Sequence, residues 1–300
     1  LVPPDTDQVL ALTPDGVERS DSSSFSYRPS DGLTTRAARS VHLDHVRAAP
    51  DDKVILLSSG GGGWRAEVGF IPEAATPKNL GLGAGKRIVS ISVARQDGFL
   101  LLGTRAGKVK RTAIADLPLL DREWGPVIGL TDDELLFGGV ADDGANVIFY
   151  TSEGQLLRLD SSEINPQKTD TAGGVIGISL RQGDRILGGM VVPHAAEDDG
   201  KWHVVVVSET GYANRVPLTE FSVQGRNTQG LQCLRETKSG GKLGDLAVGR
   251  SGDGLDVYLE DGRRFHLGDL SAITSMTRGS RGKRLIDAGA SRVARVIALP

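Results

Sequence analysis

Residues 99–111 read FLLLGTRAGKVKR, and the pattern of this stretch recurs along the whole chain. An apolar run long enough for a buried strand leads through a short polar segment to Gly107. In the return segment Val109, Arg111 and Ala113 alternate with their neighbours, as in a strand with two different faces. Gly107 supplies a backbone conformation with positive φ, which only glycine adopts at low cost. The stretch therefore predicts a β-hairpin that carries basic residues just after its turn.

Six copies of this hairpin pattern follow one another, about 50 residues apart. Shorter apolar segments after most hairpins, such as 124–130 and 133–140, predict further strands in each repeat. Repeats of this length predict an all-β fold, a six-bladed propeller-like disc of four-stranded blades, in which ring closure protects the sheet edges. The other five copies are VLALTPDGVER (9–19), VILLSSGGGGWR (54–65), VIFYTSEGQLLR (147–158), VVVVSETGYANR (204–215) and LDVYLEDGRR (255–264).

We expect residues 1–300 to form a single domain. The chain begins with Leu1 rather than methionine, which suggests a fragment of a longer protein. The polar stretch 193–201 lengthens the fifth repeat and is typical of a surface loop. The blade boundaries predicted from the repeats are roughly 1–50, 51–95, 96–142, 143–192, 193–250 and 251–300.

The composition supports a packed globular domain and excludes several classes of protein. Hydrophobic residues make up 39% and charged residues 24%, and 40 glycines suit many short strands joined by tight turns. No run of 18 apolar residues occurs, so no membrane-spanning helix is expected. A single cysteine, Cys233, excludes an internal disulfide framework and is expected to be an inert core thiol. The net charge of −3 argues mildly against nucleic-acid binding.

No catalytic constellation is recognisable. The chain lacks a nucleophile elbow and a Walker A segment, and the glycines at 81–85 precede a strand rather than a helix. His42 and His45 could supply two metal ligands, but no third ligand stands nearby in sequence. We therefore expect the domain to bind rather than to catalyse, with no catalytic residue, no metal and no cofactor of its own.

The repeated basic residue after each hairpin turn is the most informative feature. If six blades present it at one edge, that edge would contact the phosphates of a curved DNA duplex without reading bases. Alternatively these are solubilising charges at strand ends, or the disc is a protein-interaction propeller with no nucleic-acid role. Reversing the charges of Lys110 and Arg111 is expected to weaken DNA binding without unfolding the domain. The predicted DNA-binding residues are Lys86, Arg87, Lys108, Lys110, Arg111, Arg158, Arg215, Arg226, Arg263, Arg264, Arg281, Lys283 and Arg284.

Residues 205–235, VVVSETGYANRVPLTEFSVQGRNTQGLQCLR, resemble a blade of the C-terminal domain of the A subunit of bacterial type IIA topoisomerases, DNA gyrase and topoisomerase IV. Segments 69–91, 106–117 and 151–164 resemble further blades. The resemblance implies a six-bladed β-pinwheel whose basic perimeter binds and bends duplex DNA to present it for strand passage. The residues that carry it in the first segment are Gly211, Tyr212, Arg215, Pro217, Leu218, Glu220 and Phe221.

The resemblance also implies a parent protein. That protein would be an ATP-dependent type II topoisomerase of the bacterial cytoplasm, associated with the nucleoid and not with a membrane. The expected partners are double-stranded DNA, the ATPase B subunit, and the breakage-reunion domain of the same A subunit. ATP and magnesium are expected only elsewhere in that enzyme. The family's catalytic tyrosine lies in an upstream domain, so none of the tyrosines in this chain takes that role.

One departure from the family pattern concerns DNA wrapping. Gyrases carry a Gln-Arg-Arg-Gly-Gly-Lys-Gly box in the first blade. The corresponding stretch here, YRPSDGL at 27–33, keeps little beyond Arg28 and Gly32, and the nearest match elsewhere is QGRNTQG at 224–230. The departure argues against strong chiral wrapping and favours a topoisomerase IV-like or otherwise divergent protein.

Overall fold

Short antiparallel β-strands make up nearly all the regular structure in the computed structural model, which describes residues 7–21, 33–37, 41–121, 123–194 and 200–299. This part of the chain contains short 3-10 turns but no α-helix. In chain order the strands are β1 (Gln8–Thr13), β2 (Gly16–Asp21), β3 (Thr34–Ala37), β4 (Asp44–Ala48), β5 (Lys53–Ser58), β6 (Gly62–Glu67), β7 (Ala74–Ala75), β8 (Ile88–Val93), β9 (Phe99–Thr104), β10 (Lys108–Ala113), β11 (Gly125–Pro126), β12 (Leu135–Ala141), β13 (Asn146–Thr151), β14 (Gln155–Asp160), β15 (Val175–Ile176), β16 (Ile186–Val192), β17 (Trp202–Ser208), β18 (Tyr212–Pro217), β19 (Leu231–Gln232), β20 (Leu243–Arg250), β21 (Gly254–Leu259), β22 (Arg263–Leu267), β23 (Lys283–Arg284) and β24 (Val293–Leu299).

The strands form six four-stranded antiparallel sheets, which are the blades of a pinwheel. The predicted all-β, six-bladed fold is therefore confirmed. The first strand of each sheet lines a central cavity and the fourth lies at the outer edge of the disc. From the centre outward, blades 1 to 6 are β4-β1-β2-β7, β8-β5-β6-β11, β12-β9-β10-β15, β16-β13-β14-β19, β20-β17-β18-β23 and β24-β21-β22-β3.

The two middle strands of each blade are the hairpin that the repeat predicts, with a glycine at or near the turn. Gly154 shows why glycine is needed there. Its φ is +72°, and a Cβ atom at this position would lie 2.2 Å from the carbonyl oxygen of Leu234. Any other residue would be strained and would collide with the neighbouring backbone. The turn therefore fixes where β13 ends and β14 begins.

Each repeat contributes its outermost strand to the preceding blade. After the hairpin β5–β6, for example, the chain adds β7 to blade 1 and then returns to blade 2 as the innermost strand β8. The ring closes in the same way, because β3 from the first repeat pairs with β22 of blade 6. Every blade is thus held by two segments of the chain that are distant in sequence.

The hydrophobic core lies between neighbouring blades rather than inside each one. One cluster joins Leu56 of blade 2 to Leu10 of blade 1, and similar clusters fill the next four junctions. The sixth junction, where the ring closes, carries polar contacts. There Nη2 of Arg295 in blade 6 donates a hydrogen bond of 2.6 Å to the carbonyl oxygen of Leu43, beside blade 1.

A buried polar network continues from this junction across the inner strands. Asp245 of blade 5 accepts hydrogen bonds from the hydroxyl of Tyr150 in blade 4 (2.5 Å) and from the backbone N–H of Val296 in blade 6 (2.7 Å). Arg295 lies 3.5 Å from the same carboxylate. Burial raises the pKa of Tyr150 well above its ordinary value, so the phenol stays a neutral donor. Through Arg295, the network connects blades 4, 5 and 6 with blade 1.

Cys233 lies in the core between blades 4 and 5 and is fully buried, as expected. Burial raises the pKa of its thiol to about 12, which keeps it protonated and unreactive near neutral pH. We expect no reaction with a thiol-specific chromogenic reagent at pH 8 until denaturant is added, when one equivalent reacts. Reaction of the native protein at the rate of the unfolded chain would contradict this placement.

Candidate nucleic-acid interface

The repeated arginine of the hairpin motif joins neighbouring blades. Arg19, Arg111 and Arg158 occupy equivalent positions on the third strand of their blades, opposite Leu10, Leu101 and Ile148. Arg19 donates to the carbonyl oxygen of Ile71 (2.7 Å), Arg111 to those of Ser161 and Ile164 (3.2 Å each), and Arg158 to that of Phe221 (3.2 Å).

Every one of these carbonyl groups belongs to, or directly follows, a 3-10 turn of the next blade. Ile71, Ile164 and Phe221 directly follow their turns, so their carbonyl groups have no partner within the turn, and one guanidinium group can donate to more than one acceptor. This contact recurs at three junctions between successive blades. The fold itself therefore accounts at least in part for the recurrence of a basic residue after each hairpin turn. We call these three residues the blade-joining arginines (Arg19, Arg111 and Arg158).

Lys110 also lies inside the protein. Its ammonium group is fully buried and donates to the carbonyl oxygens of Thr169 (2.7 Å) and Val127 (2.8 Å). Burial lowers its pKa. The neighbouring Arg111 contacts Asp143 at 2.7 Å and lies over the ring of Phe99, 3.6 Å from its centroid. These contacts tie loops of adjacent repeats to blade 3.

The prediction that Lys110, Arg111 and Arg158 present charge at the outer surface is therefore wrong. All three are buried, with at most 5% of the residue exposed. Their charges contact backbone carbonyl groups, and Arg111 and Arg158 also contact the side chains of Asp143 and Asn146. Sequence spacing could not distinguish these positions from exposed ones. Side chains alternate along a strand in the same way whether one face contacts solvent or the neighbouring blade. The other predicted residues lie nearer the surface. Lys108, Arg215, Arg263 and Arg264 are half-buried, and Lys86, Arg87, Arg226, Arg281, Lys283 and Arg284 are exposed.

Several of these surface cations are paired with carboxylates. Arg87 contacts Glu134 at 2.8 Å. Arg263 contacts Asp261 at 2.8 Å and the carbonyl oxygen of Ala288 at 2.7 Å. Arg264 lies 2.8 Å from the buried carboxylate of Asp256. These pairs reduce the positive potential that blades 2, 3 and 6 present to a polyanion.

Blade 5 carries an exposed basic cluster at its outer edge. Lys283 and Arg284 form its outermost strand, and Arg284 pairs in register with Tyr212. The guanidinium carbons of Arg281 and Arg284 lie 4.6 and 5.2 Å from the centroid of the Tyr212 ring. A hydrogen bond with Arg284 lowers the pKa of Tyr212. We call these four residues the blade 5 edge cluster (Tyr212, Arg281, Lys283 and Arg284).

The basic surface continues from this cluster toward blades 4 and 3. Arg278 donates to the carbonyl oxygen of Gln232 (3.5 Å) on the edge of blade 4, and Arg226 to that of Ile176 (3.4 Å) on the edge of blade 3. We call Arg226, Arg278 and the three cations of the blade 5 edge cluster the basic arc. Tyr212 and Arg278 were not among the predicted site residues, although Arg278 begins a run without nearby acids.

The outer edge is not basic throughout. Phe70, the last residue of the 3-10 turn of blade 2, is 79% exposed, and Leu119, three residues after the 3-10 turn of blade 3, is 88% exposed. Nearby, Arg65 forms an ion pair with Asp121, which also lies 3.8 Å from Lys53. This part of the edge offers apolar side chains and neutralised charges, which phosphates do not favour.

Two stretches were compared above with the Gln-Arg-Arg-Gly-Gly-Lys-Gly box of gyrases, and both depart from it. Residues 27–32 of the first lie outside the described residues. The second, 224–230, forms an exposed loop with structural contacts, since the backbone N–H of Asn227 donates to the carbonyl oxygen of Gly177 at 2.6 Å. Asn227 has a φ of +61°. The loop thus bridges the edges of blades 3 and 4 and holds Arg226 at the surface.

The centre of the disc is a cavity of about 500 Å³ lined by the innermost strands. Its walls are mainly aliphatic side chains and glycines, with Asp44 and Arg295 among the polar residues. Within the described ranges, no group of three His, Cys, Asp or Glu side chains is arranged to hold a metal ion. No helix in those ranges is long and apolar enough to cross a membrane.

Several known proteins are similar to this chain in sequence or in fold. The sequence model of the DNA gyrase C-terminal domain, a β-propeller, matches residues 98–122, 145–193 and 203–247. The DNA gyrase A subunit of Staphylococcus aureus strain MRSA252 is 30% identical over 195 residues, 65% of this chain and 21% of that protein. The same protein from strain NCTC 8325 matches equally well. The aligned region thus spans about a fifth of the length of these relatives.

Solved structures support the fold. The C-terminal domain of DNA topoisomerase IV superposes with a TM-score of 0.77 at 22% identity, covering 97% of this chain and 93% of that one. The DNA gyrase A C-terminal domain gives 0.77 at 17% identity, covering 98% and 100%. The chain is therefore a six-bladed β-pinwheel with a partly basic edge. Its sequence is similar to that of DNA gyrase C-terminal β-propeller domains.

Proposed function

We propose that the domain binds double-stranded DNA along the basic arc and holds a bent segment of it for strand passage. The observation that carries this proposal is the run of surface cations on the outer edges of blades 3, 4 and 5, from Arg226 to Arg284. Guanidinium and ammonium groups on a convex edge suit phosphate oxygens, and such contacts position a duplex without reading its sequence.

The parent protein in this proposal is the A subunit of a bacterial type IIA topoisomerase, gyrase-like or topoisomerase IV-like. The proposed protein partners are its breakage-reunion domain and an ATPase B subunit, while the cytoplasm is the proposed compartment. ATP and magnesium would act in those other parts, whereas this domain would supply DNA contacts alone. Catalysis is thus assigned to the parent enzyme and not to the pinwheel.

Bending rather than tight chiral wrapping suits the distribution of charge. Bending a duplex of 20–30 bp costs on the order of 1–6 kcal/mol, which several phosphate contacts can offset. A full wrap requires contacts around the disc, yet the edge near Phe70 and Leu119 is apolar and its cations are paired. We therefore propose that the domain holds a bent segment and contributes little writhe.

Binding should depend steeply on salt. If all five cations of the basic arc contact phosphates, the slope of log K against log salt concentration is about −4.5, at about −0.9 per contact. Affinity for a 30-bp duplex should then fall about 500-fold between 50 and 200 mM KCl. Fluorescence anisotropy with two unrelated sequences measures this directly.

The two sequences should bind alike, because phosphate contacts carry no base information. No binding at 50 mM KCl, or binding that salt leaves unchanged, would contradict the proposal. The outcome would then favour a protein-interaction propeller, for which the exposed Phe70 and Leu119 are the candidate contacts.

A further inference from the structure

Positive charge is concentrated on one edge segment of the disc. Residues 273–285, ITSMTRGSRGKRL, contain four cations and no carboxylate. None of the corresponding segments carries as large an excess of cations. Segment 71–88 contains three cations and one acid, 117–130 contains one arginine and two acids, 164–178 contains one lysine and one aspartate, and 221–235 contains two arginines and no acid. The segment 273–285 supplies the outermost strand of blade 5, so its charge lies at the perimeter.

Tyr212 holds two of these cations in place. Its ring lies within 5.2 Å of both guanidinium carbons, at cation–π distance. Arg281 is also fixed from the other side, because its Nη1 donates to the hydroxyl oxygen of Ser239 at 2.5 Å. Ordering two long side chains before binding reduces the entropy lost when a phosphate binds between them.

Few carboxylates contact the cations of the blade 5 edge cluster, so few compete with a phosphate for them. Arg284 contacts Asp287 at 3.2 Å, but the two side chains are 53% and 78% exposed, so water and phosphate can readily replace this partner. In the part of the chain that the structure describes, neither Arg281 nor Lys283 forms an ion pair with a carboxylate. On the edge of blade 2, by contrast, Asp121 pairs with both Arg65 and Lys53.

We propose that the blade 5 edge cluster is the principal DNA anchor, in which a backbone phosphate binds between Arg281 and Arg284 on Tyr212. The duplex extends from there along the basic arc and leaves the disc before the edges of blades 1 and 2. This inference rests on the proposed function and makes it specific, since it replaces an even ring of contacts with one dominant site.

Two double variants, each of which removes two positive charges, test the anchor. The variant R281Q/R284Q removes two cations from it, and K78Q/R95Q removes two exposed cations outside the basic arc, Lys78 shortly after the outermost strand of blade 1 and Arg95 shortly after the innermost strand of blade 2. In anisotropy titrations of the full chain, R281Q/R284Q should weaken duplex binding at least about tenfold and reduce the salt slope by about 1.8. K78Q/R95Q should change affinity less than about threefold.

The contribution of the Tyr212 aromatic ring is tested separately. Y212F keeps the aromatic face and should bind within about twofold of the parent chain, whereas Y212L should bind several-fold more weakly at unchanged thermal stability. Equal losses from both paired variants, or equal affinity of Y212F and Y212L, would overturn the anchor while leaving DNA binding intact. Failure of the unsubstituted chain to bind DNA would instead remove the proposed function itself.

Cleavage from a tethered probe locates the duplex. Because Cys233 is buried, a single introduced cysteine can be labelled selectively with an iron–EDTA reagent. With S275C, at the exposed edge segment, we expect cuts in an end-labelled duplex, and with A74C, on the outermost strand of blade 1, we expect none. Equal cleavage from both positions would overturn the restricted path.

Discussion

Reversing the charges of Lys110 and Arg111 together is expected to unfold the domain rather than merely to weaken DNA binding. The ammonium group of Lys110 lies among three backbone carbonyl groups, and the guanidinium group of Arg111 contacts the carbonyl oxygens of Ser161 and Ile164. Carboxylates at these buried positions would face carbonyl oxygens and, at Arg111, the carboxylate of Asp143. We expect the free energy of unfolding to fall by about 5 kcal/mol or more, comparable to the whole stability of many domains.

Urea unfolding followed by circular dichroism measures this loss for K110E/R111E. The matched control is K283E, because Lys283 is exposed on the outermost strand of blade 5. It should change the free energy of unfolding by less than about 0.5 kcal/mol. A K110E/R111E protein that unfolds at the urea concentration of the parent chain would show that these groups are not buried in solution.

Replacing Asp245 by alanine is expected to produce the second large loss of stability. Its carboxylate accepts from Tyr150 and from the backbone of Val296, and it lies 3.5 Å from Arg295. The substitution removes three polar contacts and leaves a half-buried guanidinium group without its carboxylate. We expect a loss of about 3 kcal/mol, measured by urea unfolding.

Two variants separate the contributions within this network. Y150F removes the hydrogen bond donated to Asp245 and the long one accepted from Arg295, and it should cost about 1 kcal/mol, less than D245A. D142N breaks the exposed ion pair between Asp142 and Arg95 and should cost less than about 0.5 kcal/mol. If D245A is no less stable than D142N, the network does not hold the inner strands together.

The hairpins and their number follow from the sequence because they are local features. A glycine turn and an apolar strand are specified within a dozen residues, as at Gly107 and Gly154. The positions of the exchanged outermost strands could not be predicted from local sequence patterns. Strands β11 and β15 have two residues each, and their positions depend on pairing with hairpins more than 45 residues earlier. A two-residue strand has no periodicity to recognise.

The candidate site was predictable only in part, for a related reason. The cations of the blade 5 edge cluster follow from the basic segment 278–284, but the role of Tyr212 depends on strand exchange. The blade-joining arginines follow their hairpin turns at the same spacing that a surface cation would have. Their partners are backbone carbonyl groups of the next blade, and every residue type has such a group. Sequence alone therefore could not distinguish Arg158, which is buried, from Arg226, which is exposed.

The pairing of β3 with β22 has a consequence for how the molecule is made. Residues 34–37 cannot reach their partners until residues 263–266 have left the ribosome, more than 200 residues later. While the intervening residues are synthesised, the nascent chain therefore carries an unmatched edge strand, and blade 6 is completed by a strand of the first repeat. Contacts this remote in sequence slow folding, so a chaperone that shields the waiting strand would raise the yield of native protein.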